Sequence, residues 1–250
     1  MRRVAFDMRR PRSNRQPRGG VHRFHGLLAV SLLSASAWAL GASAAEFSVR
    51  WDPADGGPAT VQESLAALSL KQGRPADFVV QYFTLDQPSD APAGYKAIGR
   101  QRSTGGDVEA TYKIRGPAPI ATDASYRWTC PLTGPAQSKS EIDITLTGEA
   151  QPKRAYSHSC SVKADMAHAI PATFGARPLG CASKTHRFSD HGVTLEVWEL
   201  PGERRVFEAS VKGRDNAPDL KAFERRVVTP LLSRGVKPLS DSKTELGSAC

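Results

Sequence analysis

Beyond residue 45 much of the chain alternates apolar and polar residues with a period of two. Val108, Ala110, Tyr112 and Ile114 alternate with Glu109, Thr111, Lys113 and Arg115. Ile142, Ile144 and Leu146 alternate with Glu141, Asp143, Thr145 and Thr147, and Phe207, Ala209 and Val211 with Glu208, Ser210 and Lys212. Successive side chains of a strand point to opposite faces, so the pattern predicts half-buried antiparallel strands. Further strands are expected over 46–51, 77–85, 94–102, 153–162, 182–188 and 193–200. Turn residues punctuate them at Thr104-Gly105-Gly106-Asp107, Asp190-His191-Gly192 and Pro201-Gly202-Glu203. The pairs 94–102/107–115 and 193–200/205–212 read as hairpins.

Two stretches switch to helical spacing. Thr60-Val61-Gln62-Glu63 is a capping box, in which the Thr hydroxyl and the Glu carboxylate each satisfy an otherwise unpaired N–H. Val61, Leu65 and Leu68 follow on one face, Lys71 is expected in the last turn, and Gly73 with Pro75 ends the helix. A second helix starts near Pro218-Asp219, carries Leu220, Phe223, Val227 and Leu231 on one face and stops at Gly235; Pro230 must kink or split it. The expected fold class is therefore α+β, mainly antiparallel β, with eight or nine strands and two or more packing helices. An open sheet of that size leaves exposed edges, so closure into a barrel or folding into two layers is expected.

The N-terminus is built differently. Residues 1–26 hold eight arginines and one acid, Asp7; Leu27–Leu40 is uncharged and free of proline; Gly41-Ala42-Ser43-Ala44-Ala45 is a run of small residues. A positive end, an apolar stretch and a small-residue site are the parts of a secretory signal, here 1–44, removed before the mature protein works. The 14-residue apolar run rises only ~21 Å as a helix, too short for a ~30 Å hydrocarbon core, so no stable membrane anchor is expected after cleavage. The full chain carries 34 basic and 25 acidic residues, net +9. Without residues 1–44, which take eight bases and one acid, 26 stand against 24, or +2. The basic character belongs largely to the leader and argues for no nucleic-acid partner. Residues 45–250 suit a single domain, exported to the periplasm or secreted.

Four cysteines, Cys130, Cys160, Cys181 and Cys250, all lie in that domain. An even number in an exported chain favours disulfides, and their gaps of 30, 21 and 69 residues fit no zinc pattern. Three pairings are possible. Cys130–Cys160, joining neighbouring strands, with Cys181–Cys250, stapling the C-terminus, is the favoured one. His186 and His191 flank a turn, and His158 and His168 lie near Cys160, but no third ligand sits at metal-binding spacing, so surface histidines are expected. Trp51, Trp128 and Trp198 are expected in or near the core.

The polar strand faces carry both signs at alternate positions: Arg100 and Arg102; Glu109, Lys113 and Arg115; Glu141 and Asp143; Glu208 and Lys212. Two readings stand. The faces meet water, leaving a non-catalytic exported β-domain that binds a cell-envelope component or a protein. Alternatively they point inward and line a polar tunnel, with bases for phosphate oxygens and acids for divalent cations.

The order of these strands resembles the CYTH superfamily, the triphosphate tunnel metalloenzymes. Its opening Glu-x-Glu-x-Lys strand is echoed by Glu46-Phe47-Ser48-Val49-Arg50, and its basic and Thr-x-Lys strands by Gly99-Arg100-Gln101-Arg102 and Thr111-Tyr112-Lys113-Ile114-Arg115. Glu141-Ile142-Asp143, Lys153-Arg154 and the late pair Leu195–Glu199 and Phe207–Lys212 follow in the family's order, with Ser242-Lys243-Thr244 where it places a short basic stretch. The resemblance implies a closed antiparallel barrel whose Arg50, Arg100, Arg102, Lys113, Arg115, Lys153 and Lys212 grip a phosphorylated small molecule or polyphosphate. It implies that Glu46, Glu141, Asp143 and Glu208 hold Mg²⁺ or Mn²⁺ for phosphoanhydride hydrolysis. Ser48 and Ser210 stand where the family has acids, and each lost carboxylate removes a hard oxygen ligand, so weaker metal binding is expected.

Overall fold

The computed structural model describes residues 43–86, 91–119, 130–132, 134–164, 170 and 175–247. Residues 1–42 of the predicted leader, Trp128, His168 and Cys250 lie outside the described residues. Among the described residues, no helix is long and apolar enough to cross a membrane.

All nine expected strands form: β1 Ala44–Trp51, β2 Ala76–Thr84, β3 Lys96–Thr104, β4 Asp107–Gly116, β5 Gln137–Leu146, β6 Lys153–Ala164, β7 Arg177–Asp190, β8 Val193–Glu199 and β9 Arg205–Arg214. They close into one barrel in the order β1-β5-β6-β4-β3-β2-β7-β8-β9, with β9 returning to β1. Eight of the neighbouring pairs are antiparallel and β1–β5 is parallel. A ring with an odd number of strands cannot alternate direction all the way round, so one parallel pair is the minimum. Both predicted hairpins are present, as β3–β4 and β8–β9.

The barrel is turned inside out relative to a small barrel filled by apolar side chains. Phe47, Val49, Trp51, Ile144, Leu195, Phe207 and Ala209 project outward, where helices cover them. These helices are α1 Val61–Ala67, α2 Ala217–Phe223 and α3 Thr229–Leu232, the last two joined by a π-helical turn at Glu224–Val228. Phe47 stacks on Phe223 and Trp51 on Phe207. Around β3, β4 and β6 a second outer cluster, including Tyr95, Ala110, Tyr112, Ile114 and Cys160, is covered by connecting segments. At about 25 cal/mol per Å² of apolar surface, this external burial replaces the stabilisation that an apolar interior normally supplies. It leaves the alternate positions of every strand facing a lumen.

Two local expectations are corrected, and the break expected at Pro230 is found. The Thr60–Glu63 capping box forms, but α1 stops at Ala67, with Ser69 in the left-handed region, so Lys71 lies past the helix and its N–H is held by Asp190. Pro230 sits in α3; its ring would crowd the carbonyl four residues back, and the wider π turn before it, where the Thr229 N–H reaches Glu224 O, relieves that clash. The Cys130–Cys160 disulfide forms, yet Cys130 lies in an irregular segment, so the bond ties that segment to β6 instead of joining two strands. Cys181 is also oxidised; Cys250, the partner predicted for it, lies outside the described residues.

Candidate functional site: a charged barrel lumen

The register places the predicted site residues side by side on the inner face. Glu46 faces Asp143 on one side and Lys212 on the other, Arg50 faces Glu208, and Arg100 faces Thr111. A cavity of about 130 Å³ lies among them, lined by Glu46, Arg50, Arg100, Lys113, Arg115, Glu141, Asp143 and Glu208 together with Lys139 and Lys243. The polar strand face thus looks into an enclosed lumen. Val80 and Tyr82 of β2, Trp198 of β8 and Val206 of β9 form an apolar cluster with Leu246 beside these charges.

The carboxylates of Glu46, Glu141 and Asp143 lie within 4.8 Å of one another, a hard oxygen donor set whose chemistry fits Mg²⁺ or Mn²⁺. Bases already flank two of them. Lys113 donates to Asp143 at 3.1 Å, Arg115 Nε lies 3.3 Å from the same oxygen, and Lys139 donates to Glu141 at 2.6 Å. Burial works against charge on both Asp143 and Glu46. It is outweighed by Lys113 and Arg115 at Asp143 and by Lys243 at Glu46, so both carboxyls are held below their ordinary values.

Glu208 stands apart from this set. Arg50 Nε donates to its Oε2 at 2.5 Å, and Lys243 Nζ lies 2.5 Å from its Oε1, a close ionic contact without good hydrogen-bond alignment. Lys243 also donates to Glu196 Oε2 at 2.8 Å, and Arg187 takes the other oxygen of Glu196. Glu196 and Glu208 are each only 2 % exposed. Lys243 belongs to a short helix, α4 Lys243–Gly247, that enters the barrel from the end where β1 finishes. The segment before it is anchored by Leu239 N–H to Arg50 O and by Arg50 Nη1 to Asp241 O, and a capping box of Ser242 and Glu245 starts the helix. Its ammonium also lies 5.7 Å from the Trp198 ring centre. Burial disfavours the Lys243 charge, yet Glu196 and Glu208 raise its pKa; burial likewise disfavours the Glu196 charge, but Lys243 and Arg187 lower its pKa strongly.

Other predicted residues are distributed more widely. Arg102 pairs with Glu109 at 3.8 Å at the opposite mouth, where Arg102 and Arg187 both lie over the Phe78 ring. Lys212 faces Glu46 in the register but is exposed. Lys153 lies on the other side of α4. Ser48 and Ser210 sit opposite each other, and Ser48 accepts from Arg50 Nη2 and bonds Thr145. His186 and His158 are partnered by Asp77 and Ser140 on the outer face, and Trp51 and Trp198 are buried, as expected. Lys139 and Arg187 are site residues the sequence did not single out, and Glu196 and Lys243 entered only inside the matched stretches Leu195–Glu199 and Ser242-Lys243-Thr244, with no site role assigned to them. For Glu196 the signal existed: it alternates with outward Leu195 and Val197. For Lys243 the signal was the short basic stretch of the resemblance alone, because nothing in a five-residue helix says that it enters a barrel.

The lumen bases are incompletely satisfied. The buried Nε groups of Arg100 and Arg102 have no hydrogen-bond partner, and that of Arg115 has only its ionic contact with Asp143. Burial, with Arg100 and Arg187 nearby, pushes Arg102 down to about 10, and burial also lowers Lys113 despite the pull of Asp143. Buried donors without partners, beside cations whose charge is disfavoured, are suited to receive an anion.

The architecture that the CYTH resemblance implies, a closed and mostly antiparallel barrel with charged side chains inside, is the one observed. No protein-family profile and no curated protein matches the chain. Solved structures similar to it include a protein from Pyrococcus horikoshii, with 12% identity and a TM-score of 0.46 over 80% of this chain and 97% of that one. A putative adenylate cyclase from Vibrio parahaemolyticus shares 12% identity at a TM-score of 0.46, covering 84% of this chain and 99% of its own. A putative adenylyl cyclase from Hippeastrum, described as having a dominant triphosphatase activity, shares 8% identity at 0.42, covering 78% and 91%.

Proposed function

We propose that the lumen binds a phosphorylated or polyanionic small molecule, gripped by Arg50, Arg100, Lys113 and Arg115. The observation that carries this reading is the convergence of these bases on one enclosed cavity, with the Arg100 Nε donor buried and without a hydrogen-bond partner. Hydrogen bonds between guanidinium or ammonium groups and phosphate oxygens are the strong, charge-assisted kind. A divalent ion, Mg²⁺ or Mn²⁺, would be held by Glu46, Glu141 and Asp143, and when bound it supplies Lewis-acid polarisation of a phosphoryl oxygen. Lys113, Arg115 and Lys139 compete for two of those carboxylates, so binding precedes turnover in this reading and any phosphoanhydride hydrolysis is slow. We place the protein in an oxidising, exported compartment, supported by the Cys130–Cys160 disulfide and the predicted leader.

The test is calorimetric titration of the protein with tripolyphosphate, alone and with Mn²⁺. One-to-one binding without metal, tightened by Mn²⁺, is expected. The tightening should disappear in Asp143→Asn. An absence of binding in both conditions removes the reading.

A further inference from the structure

The α4 helix divides the lumen. Beyond it lies a second cavity of about 470 Å³, larger than the first, at the end of the barrel where β1 and β5 finish. Its wall carries Lys96, Lys153, Arg115 and Arg50, with Glu245 as the acid among its lining residues. Glu245 is committed to α4, accepting the Ser242 N–H at 2.6 Å. Arg154 also borders this cavity but donates to Asp215. Lys153 and Arg115 attract the Glu245 carboxylate electrostatically, while Lys96 stands opposite Arg115 across the β3–β4 pair. Ile98, Leu179 and Ala155 supply an apolar wall beside the cations.

The two cavities differ in charge balance. Around the inner one, Glu46, Glu141, Asp143 and Glu208 answer most of the bases, whereas the outer one has a clear excess of positive charge. A cavity of this size falls in the range of small-molecule sites, and its mix of cations with one apolar wall fits an anion attached to a hydrocarbon body. An inorganic anion would leave the apolar wall unused. We propose that the outer cavity is a second, separate anion site, taking a small organic phosphate monoester whose phosphate meets Lys96 and Lys153 and whose apolar part lies on Ile98 and Leu179. The site shares Arg50, Ile98, Arg115 and Thr244 with the inner cavity, and Arg115 lies 3.3 Å from Asp143, so occupancy of one site is felt at the other and the effect is reciprocal.

Phenyl phosphate is the probe, titrated calorimetrically into the full protein, the Lys96→Gln/Lys153→Gln double variant and the Arg100→Gln/Lys113→Gln double variant. Lys96 and Lys153 are exposed, so their replacement leaves the fold intact. The expected result is one-to-one binding by the unmodified protein, weakened at least about tenfold by the outer pair and retained in the inner pair. No binding by the unmodified protein overturns the proposal. So does binding lost with the inner pair and kept with the outer, or lost equally with both. Failure of the inner site shows separately, as a lack of tripolyphosphate binding by the unmodified protein.

Discussion

Replacing Lys243 with Met removes an ammonium that touches both Glu196 and Glu208 while keeping a side chain of similar length. The two carboxylates are each 2 % exposed, and the lysine side chain is 25 % accessible, its remaining surface facing the lumen. Breaking a buried ion pair by removing one partner costs about 3–5 kcal/mol, because the other charge stays buried and loses its counter-ion. Here Arg187 still holds Glu196 and Arg50 still holds Glu208, which places the loss near the low end, about 3 kcal/mol. For a domain of this size that corresponds to a fall in Tm of roughly 6–12 °C. Lys243 has a raised pKa in the folded protein, so its contribution is complete below the ordinary lysine value of 10.5 and is lost only as pH rises through the folded one. The loss should therefore be full at neutral pH. Urea unfolding followed by far-UV circular dichroism, for Lys243→Met, Glu196→Gln and the double variant, gives the coupling directly. A coupling energy above about 1 kcal/mol is expected for contacting charges. A loss under about 0.5 kcal/mol for Lys243→Met, the range of ordinary surface sites, would refute the reasoning.

Two further outcomes are expected. Reducing Cys130–Cys160, which closes a separation of 30 residues, should cost about 3–4 kcal/mol in the chain-entropy account and lower the urea midpoint of the reduced protein. An unchanged midpoint in a Cys130→Ser/Cys160→Ser variant contradicts it. Stability should also fall on acidification: Glu46, Asp143 and Glu196 have lowered pKa values in the folded state, so the stability they add is present above their ordinary values of 3.8 to 4.5 and is lost as pH drops toward the folded ones. A urea midpoint that stays flat between pH 6 and pH 3, at roughly neutral and mildly acidic conditions, would show that these carboxylates are not held as described.

Most of the barrel was legible because period-two alternation marks strands whichever face is buried. The alternation of Val108 to Ile114 with Glu109 to Arg115 located β4, and Gly105-Gly106 located its turn. What the pattern could not say is which face is inside. Apolar residues turned inward and apolar residues turned outward beneath helices leave the same alternation, and only the position of α1, α2 and α3 against Phe47, Trp51 and Phe207 decides between them. The acid cluster of Glu46, Glu141 and Asp143 was readable only through strand order, since β1 and β5 lie far apart in the chain and meet in the parallel pair. Glu208 and Lys153 show the limit: each faces the lumen as its alternation predicts, but α4 sends one to a lysine and the other to a different cavity.

The account rests on the bases of the inner cavity acting together on an anion. The most direct measurement compares tripolyphosphate affinity in the unmodified protein, in Arg100→Gln/Lys113→Gln, and in Lys184→Gln/Lys221→Gln, which removes two exposed lysines from the outside of the barrel. Losing two charge-assisted hydrogen bonds at about 1.5 kcal/mol each predicts an affinity about 100-fold weaker for the inner pair and nearly unchanged for the outer pair. Equal, small losses in both variants would mean that the anion is attracted only by the protein's general surface charge, and the lumen would lose its role.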